Sequence, residues 1–501
     1  MRVGFLLLLL FRLCSAGATF YVDSIAGADE ASGISANTAW KTLAKVNEHI
    51  FRAGDRVLFK AGDVWQGQLV PRVAEDRFAG PTIVFDRFGP GAKPKIDGLG
   101  RVDDVIRLYN VQNIEIHNLE ITNHGREPVI RRGVDIFLDN FGTAKHIVIS
   151  GLYIHDVNGM NGRGNDHKDN GGIIFRTKGN RVPSRFDGLL IERNLIRSVD
   201  RSAIAADSYH AMRSHWFPSL HVVIRDNYVD DIGGDGIVPW ATDNALIEHN
   251  IARNCNRRAG SYNAGIWPWS TDNSLFQMNE ASLTRTTRDG EGFDSDYNSR
   301  NTLFQYNYSH DNEGGFMLIC TPGKGDPKEN VGNIGTVIRY NISRNDRTRA
   351  FNLSGGEHTL VHNNVIYVGP GMETQMLAVT SWEGWASDAL FQNNIFWVLG
   401  KTMYGHELKR HDDGTYELGP GWGPARDIVF RGNQYIGEQT SRPPDLEAKV
   451  SAAEEPPKLN WSGPAFDASD PEAFNSFMTA HRHWLERLFK QQFGHPLKLG
   501  R

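Results

Sequence analysis

The chain has 501 residues, 52 of them glycine, and a formal net charge of −5 at pH 7. Its length suffices for several ordinary domains, and the small negative charge excludes the strong basic surface of a nucleic-acid-binding protein. No segment approaches the run of about 20 apolar residues that a membrane span needs.

The first 18 residues have the pattern of an export signal. Arg2 supplies a positive start, Gly4 to Phe11 form a short apolar run, and small residues follow from Ser15 to Ala18. This run is too short to span a bilayer but is typical of a signal peptide. We therefore expect residues 1–18 to be removed and the mature protein to be secreted or periplasmic.

Residues 19–46 predict a strand followed by a helix. Phe20 to Asp23 can begin a strand, and Ala39 to Val46 have apolar residues at helical spacing. A helix at this position can cover the open end of a repeat fold, whose unpaired edge needs such a cap.

The central chain repeats a short alternating strand that ends at asparagine or glycine. Alternation with period two indicates a strand with one buried face, and a repeated strand and turn predicts a solenoid. Asparagine suits the turn because it tolerates left-handed backbone geometry and can bond to asparagines of neighbouring coils. The turn residues are Asn118, Gly151, Asn194, Asn227, Asn250, Asn279, Asn307, Asn341, Asn364, Asn394 and Asn433.

A second strand in each coil begins with a small residue and a large apolar one. The apolar residue is expected to point inward, so alternation sends the third and fifth residues outward. The third positions are Ile174, Ala205, Val238, Trp267, Asp294 and Met317. The fifth positions are Arg176, Asp207, Trp240, Trp269, Asp296 and Ile319. Two coils that carry tryptophan are thus predicted to adjoin a coil with two carboxylates, an arrangement that suits a sugar-binding groove with a catalytic centre.

The acidic coil reads Asp289-Gly290-Glu291-Gly292-Phe293-Asp294-Ser295-Asp296. Four neighbouring acids repel one another unless a proton or a cation is held among them. The Cα atoms of Asp294 and Asp296 lie ~6.6 Å apart on an ideal strand, which leans toward the ~6.5–9.5 Å carboxyl separation of inverting glycosidases. We predict Asp294 and Asp296 as the acid and base, with Glu291 as the alternate partner and Asp289 in the same cluster.

Other polar and aromatic residues are predicted to bind the substrate. The tryptophans offer flat rings to sugars, and the remaining residues lie in the outward columns, in turns or in the long loop after the Asp207 strand. This set consists of Trp240, Trp267, Trp269, Asp235, Asp207, Arg176, His210 and His310.

Beyond residue 440 the pattern changes. Residues 441–470 are predicted to be a linker, since this region is rich in Pro, Glu and Ala, and residues 471–501 a helical tail that packs back on the solenoid. Cys255 and Cys320 are about three coils apart. At ~4.8 Å per coil this exceeds the ~7 Å Cα limit of a disulfide, so both are expected to be buried thiols.

The segments YVDSIAGADEASG, AWKTLAKVN and GDRVLFKAGDVWQG, with the repeat that follows, resemble the pectate-lyase-like superfamily of parallel β-helices. The resemblance covers residues 19–440. It implies an all-β, right-handed parallel β-helix with an N-terminal helical cap, acting on carbohydrates.

Two chemistries of this superfamily can be compared with the residues. The calcium-dependent lyases place a lysine base where Met317 stands here, leaving Lys324, Arg285 and Arg288 as substitutes from loops. The polygalacturonase GHG and RIK motifs are absent from the sequence. What carries over from those hydrolases is a cluster of aspartates on one β-helix face.

The sequence therefore predicts a secreted glycoside hydrolase, leaning inverting, that acts as a monomer on a polysaccharide or oligosaccharide without a required cofactor. A polysaccharide lyase or epimerase is the second interpretation, with Ca²⁺ held by the carboxylates. A non-catalytic glycan-binding β-helix is the third, and the clustered acids count against it because binding alone needs no such charge. No metal ligand set is assigned.

Overall fold

The computed structural model describes residues 17–500, except 75–79, 163–166, 261, 322–327, 383, 411–415, 420–422, 455–459 and 468–469. Nearly all of the export signal and the candidate base Lys324 therefore lie outside the described residues. In the described part, strands from successive coils pair in parallel to form long sheets. The predicted parallel β-helix is confirmed. The sheets are named faces 1, 2 and 3 in the order in which a coil passes through them.

Face 1 consists of two sheets joined by the isolated bridges Ile237 to Ile266 and Ile266 to Phe293. The first sheet contains Asp104–Tyr109, Arg132–Asp139, Gly171–Lys178, Ser202–Ser208 and Ile237–Val238. The second contains Glu291–Ser295, Gly315–Cys320, Arg349–Ser354, Glu373–Val379, Lys401–Arg410 and Tyr416–Gly419. Its last two strands pair antiparallel.

Faces 2 and 3 run almost the length of the solenoid. Face 2 contains Thr19–Val22, Arg56–Lys60, Ile83–Phe88, Ile114–His117, Thr143–Ser150, Arg185–Glu192, Ser219–Leu220, Val223–Arg225, Trp240–Asp243, Leu246–Glu248, Trp269–Asp272, Leu275–Gln277, Ser299–Arg300, Leu303–Gln305, Asn333–Ile334, Val337–Arg339, Glu357–His362, Ser387–Gln392 and Arg426–Arg431. Face 3 contains Val64–Gln66, Lys95–Asp97, Glu120–Asn123, Tyr153–Val157, Leu195–Val199, Tyr228–Ile232, Ile251–Arg253, Glu280–Ser282, Tyr308–His310, Ile342–Arg344, Val365–Val368, Ile395–Val398, Gln434–Ile436 and Lys449–Ser451. Ile50–Phe51 and Arg72–Val73 form a separate pair near the N-terminal end.

The turn asparagines between faces 2 and 3 form a buried ladder. Each side-chain amide from Asn194 to Asn394 donates to the side-chain oxygen of the next ladder asparagine at 2.9–3.0 Å. The ladder ends where Asn433 donates to Asp445 at 2.9 Å. The expected structural role of these asparagines is confirmed.

Replacing Asn279 by Ala is expected to lower the free energy of unfolding by about 1–3 kcal/mol, the cost of leaving buried polar partners unsatisfied. Asn279 is fully buried, accepts from Asn250 and donates to Asn307. Urea denaturation measures the loss, with Asn475→Ala on the exposed side of the tail helix as the control. Equal stability of both variants would show that the ladder contributes little.

The N-terminal cap is shorter than predicted. Helix α1 spans Leu43–Glu48 and buries Leu43 and Val46. It begins after residue 42 because one carboxylate oxygen of Asp29 accepts the backbone N–H groups of Lys41 and Thr42, which holds this segment outside the helix. The Thr42 side chain then caps the helix by accepting the N–H of Lys45 at 3.2 Å.

The tail helix α2 spans Phe474–Phe493 and packs on the outside of the solenoid, as predicted. Trp484, Leu485 and Leu488 are buried in a cluster with Tyr306 and Tyr308. Within the segment predicted as a linker, Lys449–Ser451 adds the last strand to face 3. The domain boundaries stay predictions.

Short 3-10 helices span Ala36–Thr38, Tyr209–Ala211, Arg213–His215 and Pro471–Ala473. Among the described residues, no helix is both long and apolar enough to cross a membrane. Cys255 and Cys320 are buried free thiols, as expected.

Candidate active site

The acidic coil lies on face 1, on the strand Glu291–Ser295. Phe293 belongs to the solenoid core, so the alternation of the strand places Asp294 on the other, outer side. Asp294 is nevertheless only 5% exposed and Asp296 only 8%. One carboxylate oxygen of each lies within 4.8 Å of the other and of the Cys320 sulfur. The two predicted catalytic acids are thus together, buried on the outer side of the strand.

The surroundings separate the pKa values of these two acids. Burial raises the pKa of Asp294 well above its usual range, and the neighbouring carboxylates raise it further. Its Oδ1 is buried without a hydrogen-bond partner. Burial also raises the pKa of Asp296, but only to about 6, because the Cys320 thiol and the Tyr297 N–H donate to its Oδ1 at 3.0 and 2.7 Å. Asp294 is therefore the group that holds its proton more strongly, and Asp296 the one that ionises more readily.

The other two acids of the coil differ in accessibility. Glu291 is fully buried, with its Oε1 3.4 Å from the Arg349 guanidinium. Asp289 is partly exposed, and burial of its carboxyl together with the Glu291 charge raises its pKa well above its usual range. Of the four acids, Asp289 thus has the most solvent-accessible surface. The buried Glu291 contacts Arg349 and stabilises the coil.

A buried lysine, which the sequence did not single out, lies beside the acids. The Lys168 ammonium binds the Asp235 carboxylate at 2.7 Å and the Tyr262 carbonyl at 2.9 Å. It also lies over the Trp267 ring, 4.4 Å from the centroid. Its charge lowers the pKa of Asp294 and of Asp296, opposing the effect of burial.

Trp267 and Asp235 do not line an open groove as predicted. Both are buried, and the Trp267 Nε1–H donates to the Asp235 carboxylate at 2.9 Å. Asp235 also faces the Arg201 guanidinium at 3.6 Å. Lys168 lies over the Trp267 ring and binds the Asp235 carboxylate, so both residues face Lys168 rather than a groove. They hold Lys168 in place.

The aromatic wall is formed instead by four rings in edge contact. Trp240 and Trp269 are half-buried on paired strands, with ring centroids 4.8 Å apart. Trp269 contacts Tyr297 at 5.6 Å, and Tyr297 contacts Trp382 at 5.7 Å. Tyr297 and Trp382 were missed because neither lies on a predicted outward position of the repeated strand.

The register of the coil after the acids differs from the predicted one. Glu291 pairs with Gly315, so Phe293 pairs with Met317 and Asp294 with Leu318. Met317 and Ile319 are therefore core residues, and their predicted outward positions are wrong. Gly315 has φ 144°, and a Cβ there would lie 1.8 Å from the Arg349 carbonyl oxygen. This close approach, which only glycine allows, fixes the shifted alignment.

The outward position beside Asp294 is thus occupied by the apolar Leu318, and the strand Gly315–Cys320 carries no lysine that could act as a base. Of the loop substitutes, Arg285 is paired with Glu313 at 2.6 Å. Lys324 lies outside the described residues.

The remaining predicted binding residues lie apart from the acids. Arg176 binds Asp135 through two hydrogen bonds of 2.7 Å, on an earlier coil of face 1 where it also pairs in register with Asp207. His210 is buried, and its Nε2 accepts the Ser184 N–H at 3.2 Å. Arg176 and His210 are thus occupied by other protein groups.

His310 is wrong as a groove residue because its strand belongs to face 3. There it bonds to Asp311 at 2.7 Å and to Glu280 at 3.3 Å. Glu280 also bonds to His481 of helix α2 at 2.8 Å. These contacts raise the pKa of His310 to about 9 despite its burial. The cluster attaches the tail helix to the solenoid.

The loop after Ser202–Ser208 lies beside the coil that carries the acids. Arg213 binds the Asp272 carboxylate at 2.7 Å and the Asn298 carbonyl at 2.6 Å. The Trp216 ring packs on the Arg213 guanidinium, 4.0 Å away. Because Asn298 follows Tyr297 directly, this loop is fastened next to the aromatic wall.

Comparisons with known proteins point to one type of enzyme. The sequence is 30% identical to a lacto-N-biosidase of Bifidobacterium longum, over 76% of this chain but only 29% of that protein. It is also similar to the crystal structure of a GH136 lacto-N-biosidase from Eubacterium ramulus, with 28% identity and a TM-score of 0.61. The selenomethionine form of that enzyme gives 29% and 0.62, and both alignments cover 72% of this chain and 64% of that one. The chain thus spans less than two thirds of each relative. No family model matches the sequence.

Proposed function

We propose that the protein is a glycoside hydrolase of the lacto-N-biosidase type, in which Asp294 donates a proton and Asp296 acts as the ionised carboxylate. The observation that carries this proposal is the pair of buried carboxyls with separated pKa values beside an aromatic wall. Hydrolysis of a glycosidic bond needs one acid and one carboxylate in this relation. The similarity to lacto-N-biosidases supports a hydrolase over a lyase, an epimerase or a binding protein.

The separation of the two carboxyls favours a retaining reaction. Their oxygens approach within 4.8 Å, nearer to the ~5–5.5 Å of retaining enzymes than to the ~6.5–9.5 Å of inverting ones. The Cα spacing alone favours inversion, whereas the convergence of the two side chains around Cys320 favours retention. Asp296 then bonds to the anomeric carbon as Asp294 protonates the departing oxygen. Water, deprotonated by Asp294, hydrolyses the resulting ester and restores both groups.

Asp289 is the second candidate for the proton donor. It is the more exposed acid of the coil, and its pKa is also raised. The single variants Asp289→Asn and Asp294→Asn, assayed in parallel, distinguish the two: the variant of the true donor loses most activity on substrates with poor leaving groups.

The assay that tests the proposal uses 4-nitrophenyl lacto-N-bioside and a panel of oligosaccharides and polysaccharides. Reducing ends and the absorbance of unsaturated sugars are recorded together. New reducing ends without absorbance are expected. Absorbance from unsaturated products would support the lyase interpretation, and no reaction across the panel would support a binding protein.

Calcium dependence is tested in the same assay with a chelator. The buried group of Asp294, Asp296 and Cys320 contains a thiol, whereas Ca²⁺ prefers six to eight oxygen ligands. We therefore expect full activity after chelation. Activity that vanishes with the chelator and returns with Ca²⁺ would contradict this expectation.

The activity of the wild-type protein is expected to fall below a pH of about 6, because Asp296 must be ionised and its pKa is raised to about 6. Cys320→Ala removes a donor that lowers this pKa, so the acidic limb of kcat/KM should move to higher pH. Cys320→Ser, which keeps a donor, and Cys255→Ala, which removes the other buried thiol, are the controls. An unchanged limb in Cys320→Ala would show that Asp296 does not set it.

We also propose that the protein is exported and acts as a monomer on a soluble glycan. The signal pattern of residues 1–18 supports export. Amino-terminal sequencing of the secreted protein tests the cleavage site, and sedimentation of the purified protein tests the oligomeric state.

A further inference from the structure

The chain of aromatic rings continues beyond the acids to the protein surface. Tyr297 links the two parts: its backbone N–H donates to Asp296 at 2.7 Å, and its ring contacts both Trp269 and Trp382. Trp382 is 44% exposed, which is unusual for so large an apolar side chain. The proposed catalytic chemistry by itself does not require an exposed ring there.

Burial decreases in order along this chain of rings. Trp267, which clusters with Trp240 and Trp269, is 5% exposed. Trp240, Trp269 and Tyr297 are half-buried, and Trp382 is exposed. The inner end is thus closed and the outer end open. An enzyme that releases a unit of defined size holds that unit at the closed end, so the rest of the substrate must leave through the open end.

The exposed ring has the chemistry to bind a sugar. An aromatic face carries partial negative charge and attracts the weakly positive C–H groups of a pyranose ring. Ligand sites commonly combine such aromatic walls with a few polar groups. Trp382 is held from one side by the Tyr297 ring, which leaves ring surface for a ligand.

We propose that Trp382, supported by Tyr297, forms a subsite for the pyranose ring on the leaving-group side of the cleaved bond. The inference rests on the proposed function and extends it. The subsite binds the part of an oligosaccharide that lies outside the closed end, and it thereby favours longer substrates over short glycosides.

The test compares two substrates. Methyl lacto-N-bioside has no sugar on the leaving-group side, whereas a tetrasaccharide of lacto-N-biose joined to lactose has two. Trp382→Ala should raise KM for the tetrasaccharide about 3–10-fold, which corresponds to ~0.7–1.4 kcal/mol for one aromatic contact. The rise in KM should be clearly smaller for the methyl glycoside, which places no sugar on this ring.

Two control variants sharpen this comparison. Trp382→Phe keeps a ring and should restore most of the affinity. Tyr109→Ala removes an exposed aromatic residue of face 1 on a distant coil, and it should have no effect on either substrate.

An unchanged KM for the tetrasaccharide in Trp382→Ala would overturn the subsite. An equal rise for both substrates, or a fall in kcat, would also overturn it, since Trp382 would then only support the pocket. These failures are separate from failure of the proposed function, which would show as near-full turnover in both Asp294→Asn and Asp296→Asn.

Discussion

Asp294→Asn is expected to reduce kcat about 10²–10⁴-fold, the usual contribution of general acid–base catalysis. Asparagine keeps the shape of the side chain but cannot donate a proton to the departing oxygen. Asp296→Asn should cause a loss at least as large, because it removes the group that bonds to the anomeric carbon. Initial rates on 4-nitrophenyl lacto-N-bioside measure both effects.

The control for these variants is Asp388→Asn, an exposed carboxylate on face 2 that pairs with His358. Its activity should equal that of the wild type. KM of the Asp294 variant should change little, since the aromatic wall stays in place. If both acid variants kept near-full turnover, Asp294 and Asp296 would form a structural site, and the catalytic residues would lie elsewhere.

Asp235→Asn is expected to lower the free energy of unfolding by about 3–5 kcal/mol, the usual cost of breaking a buried ion pair. The side chains of Lys168 and Asp235 are 2% and 0% exposed. The substitution would leave the Lys168 ammonium and the Arg201 guanidinium near one another without this carboxylate. Urea denaturation measures the change.

A double variant serves as the control for this prediction. Lys168→Met in the Asp235→Asn background removes the uncompensated ammonium, so it should recover part of the lost stability. An Asp235→Asn protein as stable as the wild type would show that the Lys168–Asp235 pair does not stabilise the fold.

The fold could be predicted from the sequence because its repeat is local. Each coil carries its own alternating strand and its own asparagine, and the ladder from Asn194 to Asn433 follows directly from their stacking. The pairing of the two catalytic candidates was also predictable, since Asp294 and Asp296 are two residues apart on one strand.

The surroundings of the acids could not be predicted from a single strand. Lys168 lies beside them but belongs to a loop. Cys320 lies next to Asp296 because the strand register is shifted by one residue, which Gly315 permits. Loops of this kind have no periodicity, so their contacts are not encoded in a local pattern. The burial of Trp267 could not be predicted for the same reason. Its outward position follows from the strand, but the contact with Lys168 that buries it does not.

His310 was misplaced for a different reason. It follows the turn at Asn307, where the sequence pattern does not show to which face the next strand belongs. In the structure it lies on face 3 and pairs with Glu280 rather than with a substrate.

The central claim is that Asp294 is protonated and Asp296 ionised at neutral pH. Carbon-13 NMR titration of aspartate-labelled protein, with Asp294→Asn and Asp296→Asn to assign the two signals, tests it directly. We expect the Asp296 carboxyl to titrate near pH 6 and the Asp294 carboxyl to stay protonated at pH 7. Two carboxyls that both titrate near pH 4 would contradict the claim.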